Sequence, residues 1–130
     1  MKEIVAGVDI GGTNTVYGLV DRSGNVLGEG RIHTPDYKEI RDFVPALTAE
    51  ILALAEKEKD SKLLGIGIGA PNANYHKGTI EFAPNLSWKG IVPLGEMMKK
   101  KIAVAVAVTN DANAAAIGEI VGTENLKAAR

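Results

Sequence analysis

Asp9-Ile10-Gly11-Gly12-Thr13-Asn14 brings a carboxylate, adjacent glycines, a hydroxyl and a carboxamide into one short turn. Glycines there remove the side chains that would keep a ligand away from the backbone, and exposed N–H groups with the Thr13 hydroxyl can then face a phosphate. Asp9, at the end of an apolar run, is placed to reach a hydrated Mg²⁺. The same residues also suit an ordinary glycine-rich hairpin turn. Three further polar sets follow apolar runs or turn residues: Gly69-Ala70-Pro71-Asn72, Ala83-Pro84-Asn85-Leu86-Ser87-Trp88 and Thr109-Asn110-Asp111-Ala112-Asn113. A carboxamide donates and accepts together, which suits the vicinal hydroxyls of a sugar and makes Asn85 and Asn110 candidate readers. Asn85 equally suits an Asx-turn. Asp111, at a strand–helix junction, equally suits an N-cap. Trp88, the sole tryptophan, suits either a place beside a sugar or an apolar anchor for its loop.

Positioning these residues needs strands that end together. Ile4-Val5-Ala6-Gly7-Val8 and Thr15-Val16-Tyr17-Gly18-Leu19-Val20 are apolar runs on either side of the first turn, giving strands over about 3–9 and 15–20. Asp21-Arg22-Ser23-Gly24-Asn25 is a turn by composition, and a third strand spans about 26–32. Connections this short enforce an antiparallel meander. Thr34-Pro35-Asp36 offers a helix cap. Ile40, Phe43, Val44, Leu47, Ile51, Leu54 and Ala55 then recur at helical spacing, with Pro45 predicting a kink or a fresh start. Glu50, Glu56, Lys57 and Lys59 form the solvated face.

A fourth strand is expected at 63–68, with Gly65, Gly67 and Gly69 baring one face. Residues 72–90 form a long connection with room for a hairpin near Thr79–Phe82. A short helix at 93–100 precedes a fifth strand at 102–108, whose valines and alanines face opposite ways, the alanine face permitting close helix packing. A final helix, 112–121, stops at Gly122. Helical crossovers make the last strands parallel. Ligands of open α/β sheets bind beyond the carboxyl ends of parallel strands. His33, His76, Glu81 and Glu119 lack neighbours that would mark them as functional.

With 130 residues and 45% apolar composition, the chain suits one domain with a genuine core. A formal net charge of −1 points to neither nucleic acid nor an anionic membrane. Cysteine is absent, which excludes disulfides and thiolate metal sites within this sequence. The N-terminal residues enter a strand directly with no signal peptide, and the longest apolar run, 102–108, is too short to span a bilayer. A cytoplasmic protein is expected.

The motifs in this order resemble the sugar kinases of the ROK family (repressor, open reading frame, kinase), bacterial glucokinases in particular, from Lys2 to Gly122. The resemblance implies an α/β fold: an actin-like ATPase (ribonuclease H-like) lobe, a three-stranded antiparallel meander extended by parallel strands with flanking helices. It implies ATP-dependent phosphorylation of a hexose, glucose foremost, with N-acetylmannosamine, fructose and allose as other family substrates. Asp111 would be the catalytic base, accepting the sugar hydroxyl proton. Gly69, Asn72, Asn85, Asn110 and Asp111 would bind the sugar, although many members carry glycine at the position of Asn72. Gly11, Gly12, Thr13 and Asn14 would hold the ATP phosphates, and Asp9 would hold Mg²⁺ through water.

Family members carry a second lobe with a further phosphate motif, sugar-binding Glu and His and, in many, a zinc site. Residues 1–122 therefore correspond to an N-terminal lobe and 123–130 to the start of the connection to the second. The expected partners are a hexose, ATP and, for the intact protein, a second copy in a homo-oligomer. The isolated lobe is expected to be inactive. Three other readings compete: a ROK transcriptional regulator, which needs a helix-turn-helix segment ahead of the first strand; another actin-like ATPase; and a non-catalytic α/β or sugar-binding module.

Overall fold

The computed structural model describes residues 2–110. Strands β1 (Lys2–Ile10), β2 (Asn14–Asp21) and β3 (Val26–His33) form the expected meander, each antiparallel to the next. The β2–β3 turn closes on Asp21. Its carboxylate accepts bonds from the Ser23 and Asn25 N–H groups and from the Asn25 carboxamide, and Gly24 supplies the left-handed φ of +86°. The Asn25 backbone bond leads in holding the Asp21 carboxyl below its ordinary range.

Thr34–Asp36 is a 3₁₀ turn, not the cap of the long helix. The Thr34 hydroxyl is already engaged, 2.8 Å from that of Thr15 in a buried pair. Helix α1 (Ile40–Glu56) starts instead from extended Glu39, with no side-chain cap. It is continuous through Pro45, so no fresh start occurs there. Proline deletes one bond, to the Arg41 carbonyl, on an exposed residue where solvent can replace it. Phe43, Val44, Leu47 and Ile51 bury the apolar face. Glu50 departs from its expected place on the solvated face: it is half-buried and accepts the Tyr17 hydroxyl bond at 2.9 Å. Burial and this bond push the Tyr17 phenol up to about 12.

The crossover through α1 returns the chain to β4 (Ser61–Gly69), parallel to β1 with a bulge at Leu64. The long connection contains a small antiparallel sheet of β5 (Ala73–Asn74), β6 (Thr79–Glu81) and β7 (Ile91–Val92). Helix α2 (Leu94–Lys101) follows, with Lys99, Lys100 and Lys101 in its last turn. β8 (Ala105–Thr109) is parallel to β4, which completes the order β3-β2-β1-β4-β8. The fifth main-sheet strand thus begins later than expected. Ile102 caps α2 by donating to the Met98 carbonyl, and Val104 bonds back to Ile102. Helix α2 packs on the valine face of β8, not on the alanine face: a Cβ on Gly95 would lie 3.7 Å from Val108 Cγ2. The expected final helix, Gly122 and the 123–130 connection lie outside the described residues.

The core joins Ile4, Val8 and Ile10 of β1 to Ile66 and Ile68 of β4, with α1 and α2 against them. No helix among the described residues is long and apolar enough to cross a membrane.

Candidate functional site

β1, β4 and β8 are parallel, so their carboxyl ends meet at one edge of the sheet. Asp9 pairs with Gly69 and Gly69 with Thr109, in a single row across those ends. Asp9 is exposed, while Gly69 between it and Thr109 is buried and has no side chain to fill the floor. The same bare face continues through Gly67 opposite Gly7.

The turn between β1 and β2 lies at this edge. Gly11 N–H donates to the Asn14 carbonyl at 2.9 Å, so that donor is spent within the turn. Thr34 N–H donates to the Thr13 carbonyl at 3.0 Å, fastening the turn to the 3₁₀ segment. Among the described residues no acceptor takes the Gly12 or Thr13 N–H. Neither glycine adopts a left-handed φ; those that do are Gly24, Gly78 and Gly90. Space is what the turn requires. A Cβ on Gly11 would stand 3.0 Å from the Asn14 carbonyl oxygen, and one on Gly12 would stand 3.0 Å from that of Asn85. The glycine turn therefore touches the Ala83-Pro84-Asn85 loop, and both Asn85 and Thr13 are exposed there.

The carboxamide residues are joined by a chain of bonds. Asn110 Oδ1 accepts from Ala73 N–H at 2.8 Å, tying the end of β8 to the start of the long connection. The preceding residue, Asn72, donates from Nδ2 to the Glu81 and Phe82 carbonyls, both at 3.0 Å, and its own carbonyl accepts from Glu81 N–H at 2.9 Å. The amide hydrogens of Asn72 are thus engaged in a backbone clasp. Phe82 carries a left-handed φ of +55°, which costs a bulky residue roughly 1–3 kcal/mol, and the residue is 67% exposed. The sequence pattern placed Phe82 only as the end of a hairpin. The one signal available was the break from alternating residues to Ala-Pro immediately after it.

Trp88 is the loop's anchor. It is buried, its Nε1 donates to the Tyr37 carbonyl at 2.9 Å, and its ring lies 4.4 Å from that of Phe43. Glu81 accepts from the Thr79 hydroxyl at 2.6 Å and from Asn74 Nδ2 at 3.2 Å, bonds that tie β5 and β6 together. His33 is exposed but pairs with Asp36 at 3.0 Å, and exposed His76 lies edge-on to Tyr75. Asp111 and Glu119 lie outside the described residues. No cluster of three or more His, Cys, Asp or Glu residues among the described ones could cage a metal. A lone exposed carboxylate such as Asp9 suits a magnesium ion that keeps most of its waters.

The ROK family profile matches residues 5–129. The chain belongs to the ROK family. Among curated relatives, this ROK chain is 38% identical over 117 residues to a glucokinase of Streptomyces coelicolor, covering 89% of the chain and 35% of the relative. It is 31% identical over 121 residues to a putative xylose repressor of a Caldicellulosiruptor species, covering 89% of the chain and 30% of that relative. Among solved structures, a ROK glucokinase from Streptomyces griseus in complex with glucose and AMPPNP superposes with a TM-score of 0.73 at 35% identity, covering 89% of this chain and 36% of that one. A ROK hexokinase from Thermus thermophilus gives 0.70 at 28% identity, covering 85% of this chain and 36% of that one. The chain spans about a third of the length of these relatives. The α/β architecture is that of the actin-like ATPase fold of ROK sugar kinases.

Proposed function

We propose that this chain is the N-terminal lobe, residues 1–122, of an ATP-dependent hexose kinase, with glucose as the foremost substrate. The observation that supports this most is the contact of Gly12 with Asn85, which puts a phosphate-type turn against a carboxamide loop at the carboxyl edge of the sheet. The S. griseus structure, solved with glucose and AMPPNP, is the neighbour that suggests those ligands.

In this reading the Gly12 and Thr13 N–H groups and the Thr13 hydroxyl bind phosphate oxygens, with Asn14 beside them and Gly11 shaping the turn. Asp9 holds hydrated magnesium, which when bound neutralises phosphate charge. Asn85 and the Nδ2 of Asn110 bind sugar hydroxyls, and Gly69 keeps the floor open. Asp111, two residues beyond Thr109, accepts the proton of the attacking hydroxyl as its oxygen bonds to the γ-phosphorus and ADP leaves. Cytoplasmic location and a homodimeric intact protein belong to the same reading; any zinc site would lie in the other lobe.

The test is a coupled ADP assay on the intact protein with glucose, ATP and Mg²⁺. Turnover is expected, and Asp111→Ala should abolish it while hexose binding stays largely intact. Turnover within tenfold of wild type in that variant would remove Asp111 from the role of base. The repressor-like relative supports a second reading, a sugar-sensing ROK regulator. Hexose binding by the intact protein with no turnover would favour it.

A further inference from the structure

Asn72 and Phe82 both carry left-handed backbone without being glycine, with φ of +56° and +55°. They lie on opposite arms of one hydrogen-bonded clasp. Asn72 Nδ2 reaches the Glu81 and Phe82 carbonyls, and Glu81 N–H returns to the Asn72 carbonyl. Phe82 N–H in turn donates to the Gly90 carbonyl at 2.9 Å, which closes the loop from 82 to 90. Asparagine tolerates left-handed backbone far better than phenylalanine does. A phenylalanine held there, its ring mostly in solvent, has no burial to stabilise it, so the Asn72 bond to its carbonyl and the Gly90 bond to its N–H are what hold it.

We propose that Asn72 is a positioning residue for sugar recognition: its carboxamide holds Phe82 in left-handed backbone and thereby aims Asn85 into the site. The inference rests on the hexose-kinase reading. It gives Asn72 a role beside the sugar contact that the resemblance assigns to it: both amide hydrogens are committed to backbone carbonyls, which leaves Oδ1 to face a hydroxyl. The clasp stands between the two candidate sugar readers. Ala73, next to Asn72, holds the Asn110 carboxamide, and Ala83-Pro84 leads rigidly from Phe82 to Asn85. Pro84 limits how far the loop can compensate when the clasp is lost. The ATP-side turn meets this loop through Gly12 but takes its own fastening from Thr34, so the effect should fall on the sugar and spare the nucleotide.

The discriminating variants are Asn72→Gly and Asn72→Asp in the intact protein. Glycine accepts the left-handed φ freely but has no carboxamide. Aspartate keeps the size and the backbone tolerance but presents acceptors to two carbonyl oxygens. Both are expected to raise KM for the hexose about tenfold, equivalent to ~1.4 kcal/mol, with Asp the worse. KM for ATP should stay within about twofold, and thermal melting should confirm that each variant is folded. A hexose KM within about twofold of wild type in both folded variants overturns the inference and leaves the kinase reading standing. Parallel rises in both KM values would also overturn it, since they would mark a merely structural residue. A wild-type protein that neither binds nor phosphorylates a hexose would overturn the kinase reading and this inference together.

Discussion

A methyl group at Gly30 would sit 2.6 Å from the Tyr17 hydroxyl and 2.7 Å from its ring carbon, so the phenol is seated over a position that admits no side chain. Gly30→Ala should displace Tyr17 from Glu50 and cost about 1–3 kcal/mol, measured by urea unfolding. The same phenol gives a pH dependence whose sign follows from its raised pKa. Unfolded, tyrosine loses its proton near 10; folded, Tyr17 keeps it to about 12. The folded state therefore holds more protons through this window, and stability falls as pH rises from about 10 to 12. That decline should be shallower in Tyr17→Phe, and equal slopes in the two proteins would show that Tyr17 is not its source. At Gly12 the neighbour is backbone, 3.0 Å from where a Cβ would stand. Gly12→Ala must shift the Asn85 loop or the turn, so in the intact protein it should raise KM for hexose and for ATP together. Asn72 variants are expected to change the hexose value alone.

The long connection between β4 and α2 is ordered by contacts that are remote in sequence. Trp88 reaches across to the Tyr37 carbonyl and the Phe43 ring, Thr79 and Asn74 both bond to Glu81, and Asn110 bonds to Ala73. Trp88→Ala should cost about 3–5 kcal/mol by cavity formation, which is most of the stability of a marginal domain. Trp88→Phe should retain the packing and lose roughly 1 kcal/mol with the Nε1 bond. Thermal melts of the two would separate packing from hydrogen bonding. The reach of these contacts also explains what the sequence alone could show. The meander, α1 and the parallel strands were legible because period, short connections and crossovers are local signals. The apolar anchor role was one of two open for Trp88, and the Asp21 turn was plain from its composition. The start of the long helix was misplaced because Thr34 spends its hydroxyl on Thr15, on a different strand. Glu50 was read as part of a solvated face because its partner, Tyr17, comes from β2, and the bonds of Thr79 and Asn74 to Glu81 arise within a hairpin whose register the sequence does not print. The clasp from Asn72 to residues 81 and 82 was not legible, because nothing local in the sequence reveals it.

At the scale of the molecule, the described residues offer one wall of a site. Asp9, Gly69 and Thr109 line one edge of the sheet, and Thr13 and Asn85 are exposed in the loops beside it. The chain spans about a third of the length of its glucokinase relatives. Phosphoryl transfer gains most of its acceleration from holding donor and acceptor in line and from charge stabilisation in a water-excluded cleft. Orientation alone is worth roughly 7–11 kcal/mol of the barrier, and a single wall leaves both reactants hydrated and free to diffuse. The 130-residue chain should therefore fold, because its core is formed from its own strands and helices, and yet show no hexose-dependent ADP release above background. Circular dichroism and the coupled assay on one preparation test both halves of that statement. A folded chain that turned over glucose would show that the catalytic apparatus is complete on this wall. An unfolded one would show that its own core does not suffice to hold the sheet.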